Sequence, residues 1–588
     1  MEPRTLSRIS VGIHLLINAL STILLAASNY TMQVLSSPTR GDLDKAHRSG
    51  KWFDIGVLSS RNLSTIPGRR LLLCIVLGFS SIPLHLFYNS AAIYIAATID
   101  DYDIFLVDEG STQWRSIASN DSYATLSNAK WSGEYDTAIV HSGDLYFAID
   151  GFASALSNNL TTLEIDSSWP ATVDWKSDLK GTRTAVQALS RMNITANAWL
   201  NLTSVSNGTT PNYAHIAQVL ARNVPRQDRI VFVLSFLLIV IICNAVKLAT
   251  MLYVLFKERA DFNVTLGDTA ASFLCFPDSS TEKMCVYPRD IVIADVHRRL
   301  ANDPYEVDQD IDDEAGKLEG NDPKVWRKHS HPYTPPVTIS RSLGSYFIIA
   351  VICISFPICT AAAFNVSRAW GTTSDIILGR FKVNSENTLL VAWLANTPQL
   401  ILSFCYLSIN SECTSMAGAY EWNNMGTSRK GLRVTKPFQD QRSTYFLQLP
   451  YRWSLPLAAV SGGIHWLLSQ SIFLVRIDYY DRDGRLLTGS RLGCGISGLS
   501  IIVLCVSFWI LVVAVASMGR RLLRVRIPFA ASCSLVVSAA CHPPSNDQEP
   551  HLKKVQWGVV EERMFEGELH CSLSCRPVRK PKPGTKYL

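Results

Sequence analysis

Three histidines sit inside apolar stretches of this chain, each within polar residues at helical spacing. His14 and Asn18 are one turn apart, with Ser21 and Thr22 a turn further on. Ser81, His85 and Asn89 follow the same i, i+4 rule, as do Ser461, His465 and Ser469. Lipid cannot satisfy such groups, so each stripe must face a bundle interior or water. Two uses fit. One is a proton relay or a histidine metal site in a transporter. The other is interhelical hydrogen bonding, typically worth about 0.6–2 kcal/mol per contact. The second is favoured, because nothing in the sequence brings the histidines together. Lys247 reads as a side chain close enough to the end of its span to snorkel.

Other chemistry-bearing clusters are weaker. In "DQDIDDEAGKLE", Asp308, Asp310, Asp312 and Glu319 occupy calcium-loop positions, but Asp313 replaces the glycine the turn needs. An acidic, solvated linker is the better account. Cys541, His542, His570, Cys571 and Cys575 could offer zinc ligands, but at no standard spacing. Cys533 and Cys541 follow a basic stretch where palmitoylation is conceivable. There is no phosphate loop, G-x-S-x-G, H-E-x-x-H or dinucleotide fingerprint. An enzyme is therefore the least favoured class, and no cofactor or metal is expected.

The elements that must position these residues are membrane spans. Of 588 residues 47% are hydrophobic and only 18% charged, below the roughly 25% charged of a soluble chain. Mean hydropathy is +0.13, and the apolar residues come in blocks. Seven blocks reach spanning length: 11–27, 71–97, 230–256, 344–364, 388–409, 453–475 and 493–516. "AAVSGG" places Ala458 with Gly462, and Ala459 with Gly463, at the spacing of close helix packing. Pro83, Pro357 and Pro398 are potential kinks. The expected fold is an α-helical polytopic membrane protein of about seven helices, its partner the lipid bilayer.

Two signals orient the spans. Lys and Arg crowd the 28–70 and 410–452 connectors and the segment after 517, which places these inside. The acidic 98–229 segment holds five N-x-[ST] sequons, at Asn120, Asn159, Asn193, Asn201 and Asn207. It reads as an extracytoplasmic, glycosylated, small mixed α/β domain without cysteines, in which "NYAHIAQVLARNV" forms a helix leading to the third span. Sequons at Asn29, Asn62 and Asn263 fall inside and should be silent. The net charge of +6 reflects basic inner loops facing an anionic leaflet. No basic domain with interleaved aromatics suggests nucleic acid.

The organisation then reads as a two-span unit (1–97), an outer domain (98–229), a third span (230–256), an inner loop (257–343), a four-span bundle (344–517) and an inner tail (518–588). In the first connector, Thr39 and Asp42 resemble a capping box, Asp44 and Arg48 form an i, i+4 pair, and Gly50 is a stop. A short helix on the inner membrane surface follows, with Trp52 and Phe53 at the interface. "NVTLGDTAASFLCFPDSSTEKMC" reads as another helix lying against the membrane. Residues 302–338 read as a flexible linker, and the tail ending "RPVRKPKPGTKYL" as disordered.

"LLINALSTILLAASNYTMQVLSSPTRGDLDKAHRSGKWFDIGVLSSRNL" with "SSIPLHLFYNSA" resembles the signature of a fungal family of multi-spanning membrane proteins with an N-terminal domain of unknown function. "TLGDTAASFL", "LANTPQLILSFCYLSIN", "RKGLRVTKPFQDQRSTYFLQLPYRWSLPL" and "SCSLVVSAACHPP" carry the likeness further. It implies location and architecture rather than activity. It also implies one more span before the first seen here, hence eight and an inner N-terminus. Three functional classes stay open: a surface sensor or scaffold acting through 98–229, a transporter or channel using the polar stripes, and a seven-helix receptor. The first is favoured, in the plasma membrane or another secretory-pathway membrane.

Overall fold

The computed structural model describes residues 3–153, 193–194, 199–201, 213–301, 324–332 and 376–587 apart from short gaps, with isolated positions between 346 and 370. The calcium-like stretch, Asn159 and Asn207 lie outside the described residues, as does almost all of the candidate span 344–364.

Among the described residues, seven helices form the apolar bundle: α1 (Pro3–Ser36), α2 (Gly68–Phe79), α3 (Ser81–Phe87), α4 (Leu234–Lys257), α5 (Ser385–Asn424), α6 (Tyr451–Ser471) and α7 (Gly498–Gly519). With α2 and α3 taken together, five helical segments among the described residues are long and apolar enough to cross a membrane: Arg8–Ser36, Gly68–Phe87, α4, α5 and α7. Their outer faces expose large apolar side chains, among them Leu16 and Ile23 of α1, Ile242 and Leu255 of α4 and Ile510 of α7. Lipid would cover such faces. Helix α6 is more polar, carrying Ser454, Ser461, His465, Ser469 and Gln470, all buried. It packs against α1, α5 and α7. Helix α1 passes Gly462, where a Cβ would make an ordinary contact with Thr22 Oγ1 at 3.5 Å, and nothing lies within 4 Å of a Cβ at Gly463, so neither glycine is required for the packing seen.

Sequence expectations fail at several span ends, and at the start of the third block 230–232 is strand. The second block stops being helical at Phe87, and Ala92–Ile99 is a β-strand. Similarly, Ile472–Tyr480 and Arg491–Ile496 are strands rather than the ends of the sixth and seventh spans. These apolar runs are β-rich in Ile, Val and Tyr and belong to one five-stranded sheet. Its order is 376–382, 491–496, 472–480, 92–99, 229–232. Ala92–Ile99 and Ile472–Tyr480 pair in parallel, and the other neighbours are antiparallel. Each strand adjoins a bundle helix in the chain. Strand 472–480 begins where α6 ends, while 229–232 and 491–496 lead into α4 and α7 after one residue. Strand 376–382 turns back into α5, whose first turns lie along the sheet and bury Val391, Ala392 and Ala395 against Leu474, Leu492 and Cys494.

Beyond this sheet lies a second one of six strands, with Leu145–Ala153 and Tyr213–Arg222 at its centre and a helix at Thr112–Ala118. It is a mixed unit, but "NYAHIAQVLARNV" is a strand and not a helix. Ala214, Ile216, Val219 and Ala221 bury one face against Phe147, Trp131 and Tyr135. A register shift opposite Ala148 and Ile149 breaks the two-residue alternation between Ile216 and Val219, which imitates helical spacing.

At the other end of the bundle the connectors fold into one domain. A single core gathers Leu43, Phe53 and Ile55 from the first connector with Phe273, Val292, Trp422, Leu432, Val537, Trp557, Leu573 and Tyr587. Thr39 and Asp42 do form a capping box on the helix Arg40–His47, but Asp44 pairs with Arg40 and not with Arg48. The helix Leu266–Cys275 has its own box from Thr265 and Asp268. Each helix packs one face into this core, through Leu43 and Ala46 in the first and Leu266, Ala270, Phe273 and Leu274 in the second. Phe53 is buried too, and Trp52 lies under the guanidinium of Arg61, 4.1 Å from the ring centroid. The tail is ordered, with a hairpin of Gln556–Phe565 and Glu568–Ser574 and a buried Tyr587. Its Pro- and Lys-rich composition hid a few large anchors, which suffice to hold the chain.

Candidate functional site

The three polar stripes converge inside the bundle. His85 on α3 and His465 on α6 stack with ring centroids 5.8 Å apart. Ser403 of α5 lies between them, its Oγ 2.9 Å from His85 Nε2 and 3.4 Å from His465 Nε2. His465 Nδ1 meets Gln399 Oε1 at 2.7 Å, and Gln399 Nε2 donates to the His465 carbonyl at 3.1 Å. The Gln399 amide thus fixes the proton of His465 on Nδ1, leaving Nε2 to accept. His14 stands apart, towards the sheet. It shares a network with Asn18 and Asn89, in which Asn18 Nδ2 donates to the His14 carbonyl at 2.7 Å and to Asn89 Oδ1 at 3.1 Å.

The break between α2 and α3 adds a fourth group. Pro83 has no N–H to give the carbonyl of Phe79, so the helix opens there. Lys247 of α4 reaches this break. Its Nζ donates to the Leu77 carbonyl at 2.8 Å, to Ser81 Oγ at 2.6 Å and to Ser28 Oγ at 3.3 Å. The residue is fully buried, ten residues short of the helix end at Lys257. That is about 15 Å, so snorkelling does not describe it. Lys247, Gln399, Ser403 and Asn396 were all missed as site residues. For Lys247, its depth in the span was the available signal.

These groups line cavities arranged in file. The central one, about 240 Å³, is walled by Asn18, Ser81, His85, Gln399, Ser403 and His465 among apolar side chains such as Ile17, Leu84 and Phe404. A second, about 180 Å³, shares Asn29, Leu58 and Leu407 with it and runs on along Gln33, Gly56, Ser411 and Thr414 towards the folded domain. A third, about 10 Å³, shares Asn89 with the first and lies towards the sheet between His14, Asn396 and Ser469. Asn29 and Gln33 of the first connector thus have a place: Asn29 lines both larger cavities, and Gln33 Nε2 donates to the Gly56 carbonyl at 2.9 Å. Among the described residues, no cluster of three or more His, Cys, Asp or Glu side chains is placed to hold a metal ion.

Outside the bundle, the sequon Asn120 is exposed, Asn193 and Asn201 lie on short strands of the six-stranded sheet, and Asn62 and Asn263 are buried. In the folded domain His47 bridges Asp278, through Nδ1, and Ser534, whose Oγ is 2.8 Å from Nε2. Burial alone would raise the Asp278 carboxyl, but bonds from His47 and Ser280 hold it well below the usual carboxylate range. Ser534 Oγ also accepts the Phe53 N–H at 3.1 Å. Serine and histidine are both sealed in the core, so this chain of bonds ties three segments together and offers no room for a substrate. Nearby, the Cys571 N–H donates to Cys285 Sγ at 3.4 Å. Burial opposes ionisation of both thiols, yet bonds from Cys571 and His570 draw the Cys285 thiol below the usual thiol range.

No solved structure and no curated protein matches this chain. Two family profiles do. One, a family of unknown function (DUF6536), covers residues 2–95, from α1 through the connector to the first strand of the five-stranded sheet. The other, a domain of unknown function (DUF8419), covers residues 265–576. The folded domain draws its core from both. Since the second match takes in more than half of the 588 residues, the chain belongs to the DUF8419 family.

Proposed function

We propose that this protein is a transporter or channel-like membrane protein that passes a small solute along the file of cavities inside its bundle. The observation that carries this is the sharing of wall residues: Asn89 joins the two cavities nearer the sheet, and Asn29, Leu58 and Leu407 join the two nearer the folded domain. Mostly apolar walls with a few convergent polar groups suit a small ligand. The volumes differ along the path. About 180 Å³ is open on the folded-domain side and about 10 Å³ on the sheet side, which suits a conformation closed towards the sheet. Binding and passage, rather than catalysis, is the role proposed.

Seven spans in a secretory-pathway membrane fit this arrangement. The chain is on the folded-domain side at Pro332, whose strand pairs with Leu522–Arg524, and on the sheet side at Ile376. Between them, the block 344–364 is apolar and long enough to supply one crossing. The basic connectors favour the folded domain as the cytoplasmic side. A sensing role is the second reading. It is favoured by the direct continuity of sheet strands with α4, α6 and α7, which would carry a disturbance of the sheet into the bundle.

The test is sided labelling. Ser411→Cys and Ser403→Cys variants in sealed vesicles are treated with a membrane-impermeant thiol reagent from each side, and labelling is compared with the unaltered protein. Extra labelling from the folded-domain side only is expected. Labelling of neither position from either side would remove the path.

A further inference from the structure

We infer that the central cavity binds a monoanion, the carboxylate of an acid with an apolar body, with Lys247 as its counter-charge. This rests on the solute-binding role proposed above and names the ligand class. Among the described residues, no carboxylate pairs with Lys247. Its partners are two hydroxyls and a carbonyl. No Asp or Glu occurs in the candidate spans 11–27, 71–97, 230–256, 344–364, 388–409, 453–475 or 493–516. Lys247 is also the sole Lys or Arg in those seven blocks. A buried ammonium without a counter-ion is costly, and intramembrane charges are found paired or at ligand sites.

The cavity stands where the missing charge would go. Ser28 and Ser81, which accept from Lys247, are both part of its wall. Each hydroxyl that accepts from the ammonium can turn its own hydrogen to an anion in the cavity, so the charge is relayed through one hydroxyl. Ser81 now gives that hydrogen to the Leu77 carbonyl at 2.9 Å, a bond it can exchange. One fixed cation matches one negative charge, not a phosphate dianion. The remaining wall, with Ile17, Leu25, Met32, Leu84, Leu400 and Phe404, matches an apolar body.

The test is equilibrium binding to the full-length protein in zwitterionic nanodiscs, with hexanoate, dodecanoate, acetate and hexanol as probes. Hexanoate or dodecanoate should bind at least tenfold more tightly than hexanol and than acetate. The tightest of the series tells whether the acid is water-borne (hexanoate) or membrane-dissolved (dodecanoate). Lys247→Met should abolish the preference for acid over alcohol, and Lys247→Arg should keep part of it. Equal binding of hexanoate and hexanol by the unaltered protein would overturn the anion site and leave the cavity a solute site. An unchanged acid preference in Lys247→Met would do the same. Acetate as tight as the longer acids would remove the apolar body. Binding of none of the four would overturn both this inference and the solute-binding role.

Discussion

Gln399 and His465 hold each other twice: the imidazole Nδ1 meets the amide oxygen at 2.7 Å, and the amide nitrogen donates to the histidine carbonyl at 3.1 Å. The pair fastens α5 to α6 beside the central cavity. His465→Phe keeps the ring volume but strands the buried amide oxygen. A buried polar group left unpaired costs about 1–3 kcal/mol. Thermal unfolding in detergent should therefore show a clear loss for His465→Phe. Adding Gln399→Leu should recover part of it, because replacing both partners removes the orphan. If the double variant loses the sum of both single losses, the two residues act independently.

Acid should loosen the folded domain through Asp278. Its carboxyl is held below the ordinary value of 3.8, so it binds fewer protons folded than unfolded. The stability it confers is fully present above that value and is lost as pH falls through it towards the lower folded value. Leaving the hydrogen-bond partners of a buried group unpaired costs about 1–3 kcal/mol. Asp278→Asn should lower domain stability at pH 7 and flatten the acid limb of the stability curve below about pH 4. Tryptophan fluorescence is the readout, since Trp422 and Trp557 sit in this core. An acid limb that is unaltered in the variant would assign the sensitivity to other groups.

Gly267 marks a place where backbone meets backbone. A Cβ there would run into the Arg433 carbonyl oxygen, and helix Leu266–Cys275 and the 433–434 strand cannot separate without breaking the bonds from Thr265 Oγ1 to the Arg433 carbonyl (2.8 Å) and from the Thr435 N–H to Asp268 (2.8 Å). Overpacking typically costs 1–3 kcal/mol. Gly267→Ala should fall at or above the top of that range by chemical denaturation. Gly12→Ala, where nothing lies within 4 Å, is the matched control and should be near neutral.

Tyr587 tests whether the tail is a part of the domain. The side chain is buried, its hydroxyl accepts the Lys582 N–H at 2.8 Å, and its own N–H donates to Lys324 at 2.9 Å. Truncating a buried aromatic to alanine costs about 3–5 kcal/mol. Tyr587→Ala should expose the basic 576–586 stretch to trypsin at rates far above those of the unaltered protein. Equal proteolysis would mean that the tail is loosely held in both.

What the sequence disclosed follows physical scale. Hydropathy found the described bundle helices because each needs about twenty apolar residues, and the Thr39–Asp42 box was visible because it is local. It could not separate a span from an apolar strand continuing it, so the starts of strands Ala92–Ile99 and Ile472–Tyr480, up to Ala97 and Val475, fall within blocks that read as membrane helix. The polar stripes pointed to His85 and His465, but their meeting at Ser403 depends on how three distant helices pack. The folded domain was hidden for the same reason: its core joins Leu43 to Tyr587, and no window of sequence contains both.

That joining has a consequence for how the protein is made. The domain's core cannot close until residues as late as Trp557, Leu573 and Tyr587 have left the ribosome, by which time every helix from α1 to α7 has been offered to the membrane. The first connector, although synthesised among the earliest residues, must wait for them with Leu43, Phe53 and Ile55 uncovered. The core thus closes only after α7 has been made, and a nascent chain stalled short of Trp557 would carry an open apolar face that chaperones and proteases can recognise.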